Sequence, residues 1–301
     1  MASPEIEAFV KICRSMPTEP PEDFNAARAF AIERAKREYP VRPDVRTERV
    51  SCNGVDAIWY RPSDPTRDHV ILYMHGGGFR WGSAEGHGAV ISNIAAEAGF
   101  DVLAVDYDVA PFNPFPGPVD QGVAAYRWLL AQGYDPSRIA LAGDSAGGGL
   151  VMSILVALKG WWNAPLPAGA AITSSWLDLT NSGESMDWVT DDPCVHLPGL
   201  ELCCEIYLQG QDPSDPLASP LFADLEGLPP LLVQVGSREC LLSDSTRLAT
   251  RARAAGVEAK LEVYDGCMHL WHWWVPDAPE SRKAIASIAK FVRAKTRAPD
   301  K

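Results

Sequence analysis

No run approaching roughly 18 consecutive apolar residues occurs in this 301-residue chain, so no membrane span is expected. Basic residues are scarce: 27 Lys and Arg stand against 39 Asp and Glu, a formal charge of −12. A surface of that sign repels phosphate backbones and anionic headgroups, so neither nucleic acid nor membrane is expected as a partner. The N-terminus lacks a basic start followed by an uninterrupted apolar segment, since Glu5, Glu7, Lys11 and Arg14 interrupt it. No secretory signal is read there. Cysteine is odd in number, at seven, and forms no C-x-x-C pair. A disulfide framework and a zinc finger are set aside, and reduced thiols in the cytoplasm are the expectation. Internal repeats and low-complexity tracts are absent. What remains is a chain 47% apolar, long enough for a sizeable core in one large domain or two smaller ones.

Short β-rich runs alternate with helical patterns, which predicts an α/β fold: a mostly parallel sheet with helices on both faces. Asn53-Gly54 between 48–52 and 55–60 predicts a tight hairpin of antiparallel first strands. Buried strands are expected at 70–74, 101–105, 139–142, 168–173, 231–235 and 260–264. Helical patterns lie near 84–98, 119–132, 145–159, 243–255 and 280–295. Residues 1–45 stand apart as N-terminal helices, the second following Pro20-Pro21 and covering 22–38; residues 46–301 form the main domain. No clear strand occurs from about 183 to 215. An insertion of that size between strands is expected over the C-terminal edge of the sheet, where α/β ligand crevices lie. With the N-terminal helices it reads as a cap.

Gly143-Asp144-Ser145-Ala146-Gly147 follows an apolar strand and opens a helix. A serine whose hydroxyl points out of a sharp strand-to-helix turn cannot have bulky residues two positions away on either side. The helix that begins there directs N–H groups at the site and favours developing negative charge. Ser145 is therefore the candidate nucleophile rather than a helix cap. His75-Gly76-Gly77-Gly78 directly follows the strand 70–74. Its glycines let the backbone approach a carbonyl oxygen, and their N–H groups can stabilise an oxyanion. A phosphate cradle is the rival, but neither a Lys-Ser/Thr pair nor G-x-G-x-x-G is present. Among six histidines, His269 falls after the last strand and before the final helix, where a base closes the chain order Ser, acid, His. His272, three residues on, reads as packing or pocket wall, and a metal pair with His269 lacks carboxylate support.

These motifs resemble the hormone-sensitive-lipase-like family of α/β-hydrolase carboxylesterases. His75-Gly76-Gly77-Gly78-Phe79 and Gly143-Asp144-Ser145-Ala146-Gly147-Gly148 match its two signatures. Asp106-Tyr107, Ala110-Pro111 and Phe115-Pro116 echo a third, and Ser219-Pro220-Leu221 a fourth. The resemblance runs from about 45 to 296. It departs at Asp108 and Phe112, where the family has Arg and Glu and implies an ion pair. The family's acid stands directly after the strand 231–235, thirty residues before the histidine. That count selects Glu239, whereas Asp244 reads as a helix-start residue explained by capping and the helix dipole.

The expectation is a serine carboxylesterase acting on small or medium esters through an acyl-enzyme. Ser145, Glu239 and His269 are its catalytic residues, with the N–H groups of Gly77, Gly78 and Ala146 as the oxyanion hole. Phe79, Trp81, Trp188, Trp271 and Trp273 are candidate pocket residues. The partner is a small-molecule ester; no metal or organic cofactor is required, and a homodimer is compatible with the chain. Amide, formamide or lactone hydrolysis by the same mechanism is the alternative. A ligand receptor on this fold, which lacks the family's base, is a further reading against which His269 argues.

Overall fold

Successive residues of a strand face opposite sides of a sheet, and a strand covered on both sides is apolar throughout. In β3 (Val70–Met74), Val70, Leu72 and Met74 join one hydrophobic cluster while Ile71 and Tyr73 join another. β4 (Asp101–Val105) and β5 (Ile139–Asp144) divide in the same way: Leu103 and Leu141 on one face, Val102 and Ala140 on the other. The computed structural model describes residues 2–15, 23–160, 162, 164–189 and 192–296. Pro20 and Pro21, and parts of both expected cap segments (1, 16–22, 190 and 191), lie outside them.

The remaining strands are β1 (Val45–Cys52), β2 (Val55–Pro62), β6 (Gly169–Thr173), β7 (Leu231–Gly236) and β8 (Ala259–Tyr264). They form a sheet of order β1-β2-β4-β3-β5-β6-β7-β8, antiparallel across β1, β2 and β4 and parallel from β4 to β8. The hairpin turns where expected: Asn53 and Gly54 both take positive φ, as a tight β-turn of primed type requires. One face is covered by α3 (Gly88–Ala98) and α10 (Pro279–Lys295), through residues such as Ile91, Ile94, Ile288 and Val292. The other is covered by α4 (Gly117–Ala131), α5 (Ala146–Gly160) and α8 (Leu242–Ala254). This is the α/β-hydrolase fold.

The expected 84–98 helix begins only at Gly88. Ser83 Oγ accepts the Gly86 N–H at 2.9 Å, Asp106 Oδ1 accepts the Ala84 N–H at 2.8 Å, and these bonds hold a turn in place of a first helical turn. The N-terminal segment carries α1 (Pro4–Cys13) and α2 (Phe24–Glu38), the latter capped by Asp23, whose side chain accepts the Ala26 N–H. Between β6 and β7 stand α6 (Ser185–Trp188) and α7 (Leu197–Leu208). A short α9 (Trp271–Trp274) follows β8. Ile6 and Val10 of α1 are buried against Tyr264, Cys267 and Met268, in the segment that leads to His269. Among the described residues no helix is long and apolar enough to cross a membrane.

Candidate active site

The turn between β5 and α5 is tight enough to demand its glycines. A Cβ on Gly143 would lie 2.6 Å from the Gly147 carbonyl oxygen, and one on Gly147 would collide with the carbonyls of Met74 and His75. Ser145 sits at φ 52°, a left-handed conformation that side-chain-bearing residues rarely adopt. It is held there by its own backbone. Ser145 N donates to Thr173 O at 2.9 Å, and Ser145 O accepts the Trp176 N–H at 3.1 Å.

His269 Nε2 lies 3.0 Å from Ser145 Oγ, and His269 Nδ1 lies 2.9 Å from Glu239 Oε2. The other oxygen of Glu239, Oε1, accepts the Ser174 hydroxyl at 2.8 Å and the Gly236 N–H at 2.6 Å. Glu239 is fully buried, so these donors satisfy a carboxylate that water cannot reach. Burial would lower the His269 pKa, but the Glu239 hydrogen bond and the charges of Glu239, Asp192 and Asp144 raise it above its ordinary value. A hydroxyl, an imidazole and a carboxylate in this line can move a proton from the oxygen to the ring while the carboxylate holds Nδ1–H in place. Asp244 is elsewhere. Its carboxylate accepts backbone N–H groups of Leu177 and Asp178 and pairs with Arg247.

The glycine-rich loop lies beside this line. Gly77 and Gly78, both at positive φ, border the same cavity as Ser145 and His269, and Ala146 is buried directly after Ser145. A Cβ at Gly76 would run into the Asp144 carboxylate and the Ser145 Cβ, so loop and elbow are in direct contact. His75 is no base. Burial, with His87 nearby, lowers its pKa to about 3. Its Nδ1 lies 2.8 Å from Gly76 O, its ring stacks on Tyr107 at 4.1 Å, and the Tyr107 hydroxyl donates to His75 O at 2.8 Å. Beneath the elbow Asp144 accepts the Tyr73 hydroxyl at 2.5 Å and lies 3.4 Å from His87 Nε2. Burial would raise the Asp144 pKa, but His87 and Tyr73 bring it to about 2.

The cavity measures ≈ 400 Å³. Trp81 and Trp273 line it, as expected, joined by Trp176 and Trp274. Three expected pocket residues do not. Phe79 stands at φ 61°, which turns its ring away to stack on Tyr207 at 3.9 Å. Trp271 is fully buried against Tyr264, with ring centroids 4.8 Å apart. Trp188, at the end of the four-residue α6, is 58% exposed. His272 is buried and likewise off the cavity lining. Ala31, Ile32 and Ala35 of α2, with Val195, Leu200 and Cys203 from the β6–β7 insertion, also line it. No Lys, Arg, Asp or Glu appears in that lining among the described residues.

The departure at 108 and 112 has its own solution. Gln121 Nε2 donates to Asp108 Oδ2 at 2.7 Å, and Gln121 Oε1 accepts N–H groups of Asp108 and Asn113. Phe112 is left 71% exposed. Residues that sequence reasoning missed include Ser174, Trp176, Trp274 and Asp192. Ser174 and Asp192 carry no motif that would have flagged them. Asp192 Oδ1 accepts the Cys194 and Val195 N–H groups, while Oδ2 accepts that of Cys240, next to Glu239.

A family model for the alpha/beta hydrolase fold matches residues 71–273. An acetyl-hydrolase of Streptomyces hygroscopicus is 39% identical, over 98% of both chains. The carboxylesterase NlhH of Mycobacterium tuberculosis is 31% identical, over 89% of both. Among solved structures, an esterase of the bacterial hormone-sensitive lipase family superposes with a TM-score of 0.94 at 47% identity, covering 99% of this chain and all of its own. The esterase EstE5, soaked with p-nitrophenyl butyrate, superposes at 0.93 with 38% identity, covering 99% of this chain and all of its own.

Proposed function

Because the chain belongs to the hormone-sensitive-lipase-like carboxylesterases of the α/β-hydrolase fold, we propose that Ser145, His269 and Glu239 carry its ester hydrolysis. One observation supports this most: the in-line contacts Ser145 Oγ–His269 Nε2 at 3.0 Å and His269 Nδ1–Glu239 Oε2 at 2.9 Å. His269 takes the Ser145 proton as the oxygen attacks the ester carbonyl. The resulting oxyanion is held by the N–H groups of Gly77, Gly78 and Ala146. His269 then protonates the departing alcohol, leaving an acyl group on Ser145. A water, deprotonated by His269, attacks that acyl carbon; the bond to Ser145 Oγ breaks, His269 returns the proton to that oxygen, and the carboxylic acid leaves. Glu239 keeps the Nδ1–H tautomer and stabilises the imidazolium.

The substrate is an uncharged ester of small or medium size. The apolar lining and the ≈ 400 Å³ of space support it, as does the absence of charged side chains among the described lining residues. Residues 1–45 and 183–215 act as the cap, since α2 and α7 line the cavity that Ser145 borders. The protein works in the cytoplasm, a setting in keeping with its free cysteines. The test is a panel of p-nitrophenyl esters from acetate to decanoate, with a lactone and an anilide alongside. Neutral esters should be hydrolysed by the native chain and not by Ser145→Ala. Preference for the anilide or lactone would replace the ester assignment.

A further inference from the structure

The face of α2 that borders the cavity continues onto the glycine-rich loop. Ala31, Ile32 and Ala35 line the cavity, and one and two turns earlier Arg28 and Phe24 reach residues 80–82. Positions 24, 28, 31, 32 and 35 share one helical face. Arg28 Nη2 donates to Gly82 O at 2.8 Å, a bond between residues 54 positions apart. The Phe24 ring meets Trp81 edge-on with centroids 4.5 Å apart, and the Arg80 guanidinium lies 4.5 Å from the same ring.

Gly82 is mechanically tied to the oxyanion donors. The loop folds back on itself, because Gly77 O accepts the N–H groups of Arg80 at 3.1 Å and Trp81 at 2.7 Å. A Cβ on Gly82 would collide with Gly76 O, and a Cβ on Gly77 with the Trp81 carbonyl. The two arms are in backbone contact, so a displacement of Gly82 presses on the arm that carries the Gly77 and Gly78 amides. Arg28 is part of that arrangement without lining the cavity.

We propose that Arg28 is a positioning residue for the oxyanion hole: by holding Gly82 O it fixes the loop whose Gly77 and Gly78 amides meet the developing charge. The N-terminal helix then contributes to kcat as well as to substrate fit. This rests on the roles proposed above for Ser145 and the glycine loop. Oxyanion donors act mainly in the transition state, so their misplacement appears in kcat.

Arg28→Met keeps the aliphatic stem and removes the donor, whereas Arg28→Lys keeps a donor on a similar stem. Steady-state kinetics on p-nitrophenyl butyrate and melting temperatures are measured for both. Arg28→Met should lower kcat about 10- to 100-fold with KM within about two-fold, and Arg28→Lys should recover most of that loss. An unchanged kcat in Arg28→Met overturns the inference, as does a rise in KM alone. Equal losses in both variants, tracking a fall in melting temperature, show a purely structural role and overturn it too. Ser145→Ala is assayed alongside. If it stays active, the proposed site itself falls; if it is dead while Arg28→Met turns over normally, only the role of Arg28 is lost.

Discussion

Asp244 Oδ2 accepts the N–H of Leu177 at 2.8 Å, and this bond separates in role two carboxylates only five positions apart. Glu239, directly after β7, faces His269; Asp244, in the first turn of α8, faces the backbone after β6. Asp244 is more than the helix-start residue its Ser-Asp-Ser setting implies. It is fully buried, also accepts the Asp178 N–H and pairs with Arg247 at 3.0 Å. Burial pushes its pKa up to about 7, against the pull of the Leu177 N–H and Arg247.

Exchanging each carboxylate for its amide separates the two roles. In Glu239→Gln, the Ser174 hydroxyl and Gly236 N–H both require an oxygen, so the NH₂ turns toward His269 and imposes the wrong tautomer. We expect kcat to fall roughly 10³- to 10⁴-fold with little change in melting temperature. Asp244→Asn should keep kcat near the native value and lose about 1–3 kcal/mol of stability, because a buried acceptor is weakened. Assaying kcat and denaturant midpoint for both variants decides the matter; an inactive Asp244→Asn would move the acid.

The pH profile follows from His269. Its pKa is raised above 6.5 by Glu239, Asp192 and Asp144, which outweigh burial, and only the neutral ring accepts the serine proton. kcat/KM should therefore rise with pH through an inflection above 6.5, and Glu239→Gln should shift that inflection downward. The same raised pKa stabilises the fold below 6.5, a contribution lost as pH rises through the folded value. A profile of kcat/KM from pH 5 to 9 checks the first statement, and an inflection below the ordinary histidine range would contradict it.

Much of this was legible beforehand because it is local. The runs at 70–74 and 101–105 are strands over those same residues, and the glycines around Ser145 report a turn that only glycine permits. The thirty-residue count that the family resemblance supplies selects Glu239, the carboxylate that lies 2.9 Å from His269 Nδ1. What failed was orientation. Trp271 and Trp273 sit on a four-residue helix, where two positions differ by about 200° of rotation, so one enters the core and the other the cavity. Phe79 turns inward through a positive φ that a phenylalanine does not advertise. Ser174, Asp192 and Arg28 make contacts between segments far apart in sequence, which no periodicity encodes.

Gly77→Val tests the oxyanion loop. Gly77 stands at φ +120° and a Cβ there meets the Trp81 carbonyl, so the loop must shift. We expect kcat to drop about 10²- to 10³-fold and KM to change far less. A rise in KM with kcat intact would make the loop a pocket wall.

The proposed cap is better probed by filling than by deletion. Removing the first forty residues would also strip Ile6 and Val10 from the segment leading to His269, confounding specificity with stability. Ala31→Phe instead narrows the cavity from α2. Long acyl chains should lose several-fold in kcat/KM per methylene excluded, about 0.8 kcal/mol each, while acetate esters are spared. Equal loss across the p-nitrophenyl series would show that α2 does not bound the acyl site.

On the proposed mechanism every turnover passes through a covalent bond to Ser145 Oγ. A serine-directed p-nitrophenyl phosphonate, followed by peptide mapping of the modified chain, tests it most directly. One equivalent of p-nitrophenol should be released, with one adduct on Ser145, complete loss of esterase activity, and no labelling of Ser145→Ala. An adduct on another residue with Ser145 unmodified, or a labelled chain that still hydrolyses esters, would contradict it.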